Sequence, residues 1–406
     1  MDPPTTVHKP PARDKAGELK AAQNEQSSFQ SPVAQPGPGV DPQKIDGDSS
    51  NGKYTYTPID QTPDLIRLLR NPNSPGSRGP HYELETHSIH SGPPFIALSY
   101  TWDDPDAELE FESRPSELHI RIGDQTLEVR PNLRLFLDAL RRRRGKLVDS
   151  PWILDNIAYF PYFWVDSICI DQGNITERNH QVKMMKSIYS QAELVLVWLG
   201  EGNLGSFEEN GWDSGWFSGL LFERRYWGRL WVIQELLLAR RTLLMCGNDV
   251  LQWSKFADCL KAYGRGELEA PDDDASKSPI GSIGRSKGVR LAERKVMWNE
   301  NSCLNSGYTL DFLIESFHDH ECADVRDKVY GLLALVSTDG RSGENIFDVD
   351  YAKTPAQLFE EVIAAVRNSP RLRSLRARAR FSNTLRKALK LPPETVEEAE
   401  IWLPTP

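Results

Sequence analysis

The chain is short of several things. No apolar run approaches the about 20 residues that a membrane-crossing helix needs, so no transmembrane segment is expected. Its first ten residues, MDPPTTVHKP, hold no apolar signal core. Cysteine is scarce and unpaired: Cys169, Cys246, Cys259, Cys303 and Cys322 are an odd number with no CxxC. That argues against a disulfide framework and for a reducing compartment, so a cytoplasmic protein is expected. Positive charge is in deficit, with 48 Lys and Arg against 58 Asp and Glu, which argues against a general nucleic-acid binder. No GxxxxGK(S/T) or HExxH is present, and the glycine-rich stretch 281–288 has the wrong spacing for a phosphate loop. His318, His320 and Cys322 alternate near a helix end without a clear fourth ligand. They read as solvent-exposed residues, and no metal site is expected.

Residues 1–53 also lack large apolar side chains and are rich in Pro, Gln, Ser, Gly and Asp. Such a segment cannot offset its ordering entropy and reads as a disordered arm. Nine of the 11 tryptophans fall between Trp102 and Trp253. Large aromatics supply much of a core's buried area, so the main domain is placed over 54–262.

Within that span apolar runs alternate with helical patterns. Buried strands are expected at 95–100, 163–170 and 194–199, with a further strand at 242–246 and a hairpin around Gly123-Asp124. Helices are expected over 132–144, 176–192 and 226–239. This order predicts an α/β fold with a parallel sheet flanked by helices, whose strands are apolar throughout because both faces are covered. Residues 263–289 carry five acids between Glu267 and Asp274 and read as an acidic, Gly- and Ser-containing linker. An all-helical extension is expected over 290–368. Residues 369–406 open with eight basic residues and no acid between Arg371 and Lys390, and read as a basic, flexible tail.

Three separated segments carry a resemblance: Ala97-Leu-Ser-Tyr-Thr-Trp-Asp103; Trp164-Val-Asp-Ser-Ile-Cys-Ile-Asp-Gln172 with Glu177-Arg178 and Val197-Trp-Leu-Gly200; and Arg229-Leu-Trp-Val-Ile-Gln-Glu235. A fourth, Asp324-Val-Arg-Asp-Lys-Val-Tyr-Gly-Leu-Leu333 with Val349-Asp-Tyr351, follows in order. Together they resemble the fungal heterokaryon-incompatibility (HET) domain and the segment that follows it. The resemblance covers about residues 54–365. It implies a role in fungal nonself recognition and programmed cell death, and a relation to the Toll/interleukin-receptor (TIR) fold, a flavodoxin-like parallel sheet. Many TIR relatives cleave NAD with a Glu in a Trp-x-x-x-Glu context, and Trp231 and Glu235 have that spacing. The resemblance therefore makes Glu235 the candidate catalytic residue of an NAD glycohydrolase, with NAD as substrate and no resident cofactor. Family members often continue well beyond this length, so the chain reads as a short or truncated member.

Tyr100, Thr101, Trp102 and Asp103 leave the first expected parallel strand at its carboxyl end, and Asp171 and Gln172 leave the second. Ligands bind at that end of such sheets. These residues, with Asp166, Arg178 and Trp231, are the candidate substrate-binding set. Each also has a structural reading: the tryptophans as core, Asp171 as a turn former, Glu177-Arg178 as an exposed first-turn pair. Two functions stay open. One is NAD cleavage; the other is a non-enzymatic module acting by self-association or by recruiting an unknown protein partner.

Overall fold

The computed structural model describes residues 52–59, 64–77, 79–102, 118–143, 157–202, 221–222, 224–264, 286–300, 308–336, 347–392 and 402. Except for their ends, the arm at 1–53 and the linker at 263–289 lie outside the described residues, as does Asp103.

Among the described residues nine strands are formed, in chain order: β1 (Leu65–Arg70), β2 (Glu83–Ser88), β3 (Ile96–Ser99), β4 (His119–Ile122), β5 (Gln125–Glu128), β6 (Tyr162–Trp164), β7 (Leu194–Trp198), β8 (Thr242–Cys246) and β9 (Asp249–Gln252). β4 and β5 make the hairpin expected around Gly123. The other seven form one mixed sheet in the order β2-β1-β6-β3-β7-β8-β9. Its centre is parallel: β6 with β3, β3 with β7, and β7 with β8. The outer pairings, β2 with β1, β1 with β6 and β8 with β9, are antiparallel. β3, β7 and β8 are buried at every position, as strands covered on both faces must be.

Ten α-helices accompany them among the described residues: α1 (Pro131–Arg142), α2 (Asp166–Cys169), α3 (Ile175–Gln191), α4 (Trp231–Leu238), α5 (Trp253–Gly264), α6 (Lys287–Glu300), α7 (Leu310–Phe317), α8 (Asp327–Leu333), α9 (Pro355–Val366) and α10 (Leu375–Ala388). Their starts follow local chemistry. Pro131 and Pro355 occupy first-turn positions, where the missing N–H costs nothing. The Asn174 side chain accepts from the Glu177 N–H at 3.2 Å, and Thr354 and Gln357 form a reciprocal capping box.

Two expectations need correction. The run 163–170 is not one strand. It ends at Trp164, and Asp166-Ser-Ile-Cys169 turns into a one-turn helix, because the Ser167 N–H is drawn onto the Asp166 side chain at 2.7 Å. The basic stretch 371–390 is not a tail. It forms α10, whose Phe381 and Leu385 are 0% exposed in the core. Most basic residues of the stretch are exposed: Arg371, just before the helix, pairs with Asp311 and Glu315, and Arg380 with Glu315, whereas Arg386 is buried over the Phe359 ring.

The β8–β9 turn depends on Gly247, at φ +52°, packed against the backbone of Gly202. A Cβ there would overlap the Gly202 carbonyl oxygen. Gly247→Ala should therefore lower stability by about 1–3 kcal/mol, read as a lower denaturant midpoint; an unchanged midpoint would show that the two turns separate freely.

Candidate functional site

The four parallel strands, β3, β6, β7 and β8 in chain order, lie in the spatial order 2-1-3-4. Strand order therefore reverses beside β3, and ligands in doubly wound sheets bind outside the carboxyl ends of the strands at such a point. A cavity of about 410 Å³ opens there. Its walls come from the chain leaving β3 (Trp102), from α2 and the turn after it (Asp166, Gln172), from α3 (Arg178, Met185), from the start of α4 (Arg229, Trp231, Glu235) and from the C-terminal segment (Asp324, Asp327, Tyr351).

Glu235 sits at its floor, 2% exposed. It lies in α4, a helix of almost wholly apolar sequence buried at Val232, Ile233, Leu236 and Leu237. The Ser99 hydroxyl, at the end of β3, donates to Glu235 Oε2 at 2.5 Å and lies 2.8 Å from the Tyr226 hydroxyl. The other carboxylate oxygen makes no hydrogen bond to a described residue. Burial pushes the Glu235 carboxyl up to about 7; the Arg229 guanidinium opposes the rise, nearby Asp166 adds to it, and the Ser99 bond opposes it. Arg229 is itself held by donation to the Tyr100 carbonyl. At the far end of α4, the buried Lys295 amine of α6, its pKa lowered to about 7 by burial, donates to the Ala239 carbonyl at 2.6 Å. The helical segment thus fixes the helix that carries Glu235.

Asp166 opens α2 across the cavity. Trp102 Nε1 donates to Asp166 Oδ2 at 2.8 Å, and Gln172 Nε2 donates to the Asp166 carbonyl at 2.9 Å. Burial raises the Asp166 pKa, against the pull of Arg229 and of the Trp102 bond. The Arg130 guanidinium lies 5.0 Å over the Trp102 ring.

The remaining wall is the C-terminal segment. Trp231 Nε1 donates to Asp327 Oδ2 at 3.0 Å and the Tyr351 hydroxyl to Asp327 Oδ1 at 2.6 Å. Burial lifts Asp327 to about 6, although both bonds oppose it. Arg178 lies 4.8 Å over the Tyr351 ring and Arg326 5.3 Å from it. Arg326 grips Asp324 with a fork, at 2.8 and 2.5 Å. Carboxyl groups raised by burial, gathered with arginines in one cleft, are the arrangement expected of a functional site.

Six of the candidate residues line this cavity: Trp102, Asp166, Gln172, Arg178, Trp231 and Glu235. Three do not. Tyr100 is buried behind it, its hydroxyl 2.7 Å from Ser167 Oγ. Thr101 holds Asn132, whose side-chain nitrogen donates to its carbonyl and hydroxyl at 2.7 and 2.8 Å. Asp171 closes the turn before α3, its Oδ1 accepting from the Gly173 N–H at 3.0 Å. The Glu177-Arg178 pair is not exposed either: Glu177 is buried against Arg67, and Arg178 faces the cavity. His320, expected at the surface, is 1% exposed. Among the described residues no group of His, Cys, Asp and Glu is placed to hold a metal ion.

Arg130, Arg229, Asp324, Asp327 and Tyr351 also line the cavity without having been assigned to it from sequence. All but Arg130 stand inside the quoted motifs, and that position was the available signal.

Residues 95–213 match the family model described as heterokaryon incompatibility protein (HET). The chain is 27% identical to heterokaryon incompatibility protein 6, OR allele, of Neurospora crassa, over 70% of this chain and 48% of that protein. It is 25% identical to vegetative incompatibility protein HET-E-1 of Podospora anserina, over 42% of this chain and 11% of that protein. The chain thus spans about half the length of the first relative and about a tenth of the second. No solved structure matches it. The segment that matches the heterokaryon-incompatibility family, residues 95–213, supplies β3, β6, β7 and the cavity residues between them.

Proposed function

We propose that the protein is an effector of fungal incompatibility that cleaves the nicotinamide–ribose bond of NAD, in a TIR-like domain, with Glu235 as the catalytic carboxylate. The observation that carries this is a buried carboxyl, lifted to about 7, at the floor of a cavity beside two tryptophans. The 2-1-3-4 order of the parallel strands supports the TIR-like part, since it is the flavodoxin-type order.

The chemistry asks little of the protein. Nicotinamide departs as a neutral molecule from a cationic ring, so no general acid is required. Charge develops on the ribose as an oxocarbenium ion, which an ionised carboxylate in a drier-than-water site stabilises strongly. Water then adds to the ribose carbon and releases a proton, giving ADP-ribose. Glu235 faces that charge, while Trp102 and Trp231 offer aromatic surface to the rings. Arg229 limits the rise of the Glu235 pKa and keeps part of the carboxyl ionised at neutral pH.

A second reading, killing by self-association or partner recruitment without chemistry, is favoured by one observation: Glu235 is nearly inaccessible and already accepts from Ser99. Expression in a filamentous fungus separates the two. The cleavage reading expects the cellular NAD pool to fall before growth arrests. Arrest with an undiminished pool would leave assembly as the mechanism.

A further inference from the structure

The cavity holds one guanidinium with nothing to bind. The Arg178 side chain makes no hydrogen bond and no ion pair to a described residue, and its Nε is buried without a partner. Leaving a buried donor of a charged group unpaired is costly. The carboxylates nearest in charge do not answer it. Asp324 is gripped by the fork of Arg326, and Asp327 accepts from Trp231 and Tyr351. Arg178 is nonetheless held in place: its guanidinium lies over the Tyr351 ring, 4.8 Å from the centroid, and the Tyr351 hydroxyl is fixed on Asp327. A planar cation that is preorganised, faces a cavity and has free donors suits one ligand group, a phosphate, which it can take with two parallel bonds.

We propose that Arg178 forms an anion subsite in this cavity and takes a phosphate of a nucleotide, with Tyr351 positioning it. Trp102 and Trp231 on the neighbouring walls supply the aromatic surface that a nucleotide's ring would use. The subsite deepens the NAD reading and rests on it for the identity of the nucleotide, but phosphate capture itself requires no bond cleavage.

Binding to the full chain is measured by calorimetry with three probes: ADP-ribose, inorganic pyrophosphate and adenosine. The parent should bind ADP-ribose at least ~10-fold more tightly than adenosine, and the difference should shrink with added salt. Arg178→Gln should weaken ADP-ribose by at least ~10-fold and leave adenosine unchanged. Should that variant not fold, Arg178→Lys carries the same test, because it keeps the charge and loses the fork. Pyrophosphate binding that also depends on Arg178 marks a general phosphate site; ADP-ribose binding without it marks a nucleotide site. Equal affinity of parent and variant for ADP-ribose, or no binding of either phosphate probe, overturns the subsite. Nicotinamide release from NAD is followed separately. A parent that binds ADP-ribose through Arg178 and releases no nicotinamide keeps the subsite and loses the cleavage reading. A parent that cleaves NAD equally well with Arg178→Gln keeps cleavage and loses the subsite.

Discussion

On the proposed cleavage reading, Glu235→Gln should abolish killing while making the protein more stable at alkaline pH. The two effects share one cause. The carboxyl is buried beside β3 and carries a folded-state pKa of about 7, against 4.5 for the free side chain. The folded state therefore binds the Glu235 proton more tightly than the unfolded state does. The resulting stability is fully present below the unfolded value and is lost as pH rises through about 7. Above that pH the ionised carboxylate is a burden of at most about 3 kcal/mol. Glutamine keeps the shape and most of the hydrogen bonding and removes the charge, so the variant's midpoint should exceed the parent's at pH 8 and approach it at pH 5. Activity should move the opposite way. If the ionised form stabilises a cationic transition state, its loss costs about 3 kcal/mol or more, at least ~100-fold in rate, and parent activity should rise with pH through the same window. Thermal unfolding of both proteins at the two pH values checks the first half. A variant less stable than the parent at both would make Glu235 a structural residue.

Glu177→Ala should cost about 3–5 kcal/mol of stability, a large share of what a folded domain has. Glu177 and Arg67 form an ion pair of 2.5 Å, their side chains 5% and 3% exposed. Arg67 also donates to the carbonyls of Cys169 and Thr57 at 3.2 and 2.6 Å, and Glu177 Oε1 accepts from the Asp171 N–H at 2.8 Å. The pair thus ties β1 to the turn between α2 and α3, which supplies Gln172 to the cavity, and to the first turn of α3, which supplies Arg178. Removing the glutamate strands the arginine charge in the core, which is the expensive half of breaking a buried pair. Denaturant titration of parent and variant checks this; a loss below about 1 kcal/mol would mean that water reaches Arg67.

The strands at the centre of the sheet were legible because covering both faces forces unbroken apolar runs, as in Leu194–Trp198 and Thr242–Cys246. β1 and β2 were not. Leu65–Arg70 is leucine-rich with two arginines, one of which is buried only because Glu177, 110 residues away, answers it. Glu83–Ser88 is polar and pairs on one side only, so no periodic signal betrays it. The core contact of α10 was hidden by the eight basic residues of 371–390, five of them in the helix itself, most of which lie exposed around buried Phe381 and Leu385. For the cavity, proximity in sequence sufficed for Trp231 and Glu235, one helical turn apart. It could not reveal that Asp327 and Tyr351 complete the same cleft, since Trp231 meets Asp327 only through the packing of α8 on α4.

The central claim is that Glu235 does chemistry on NAD. Purified full-length protein incubated with NAD over a wide range of protein concentrations, with free nicotinamide measured, tests it most directly. Concentration is varied so that a site completed only by self-association is detected as well. The predicted result is nicotinamide release by the parent that rises with pH through about 7 and falls at least ~100-fold in Glu235→Gln. Release no greater than that of Glu235→Gln at every concentration, from a protein that still kills in the fungal host, would contradict it.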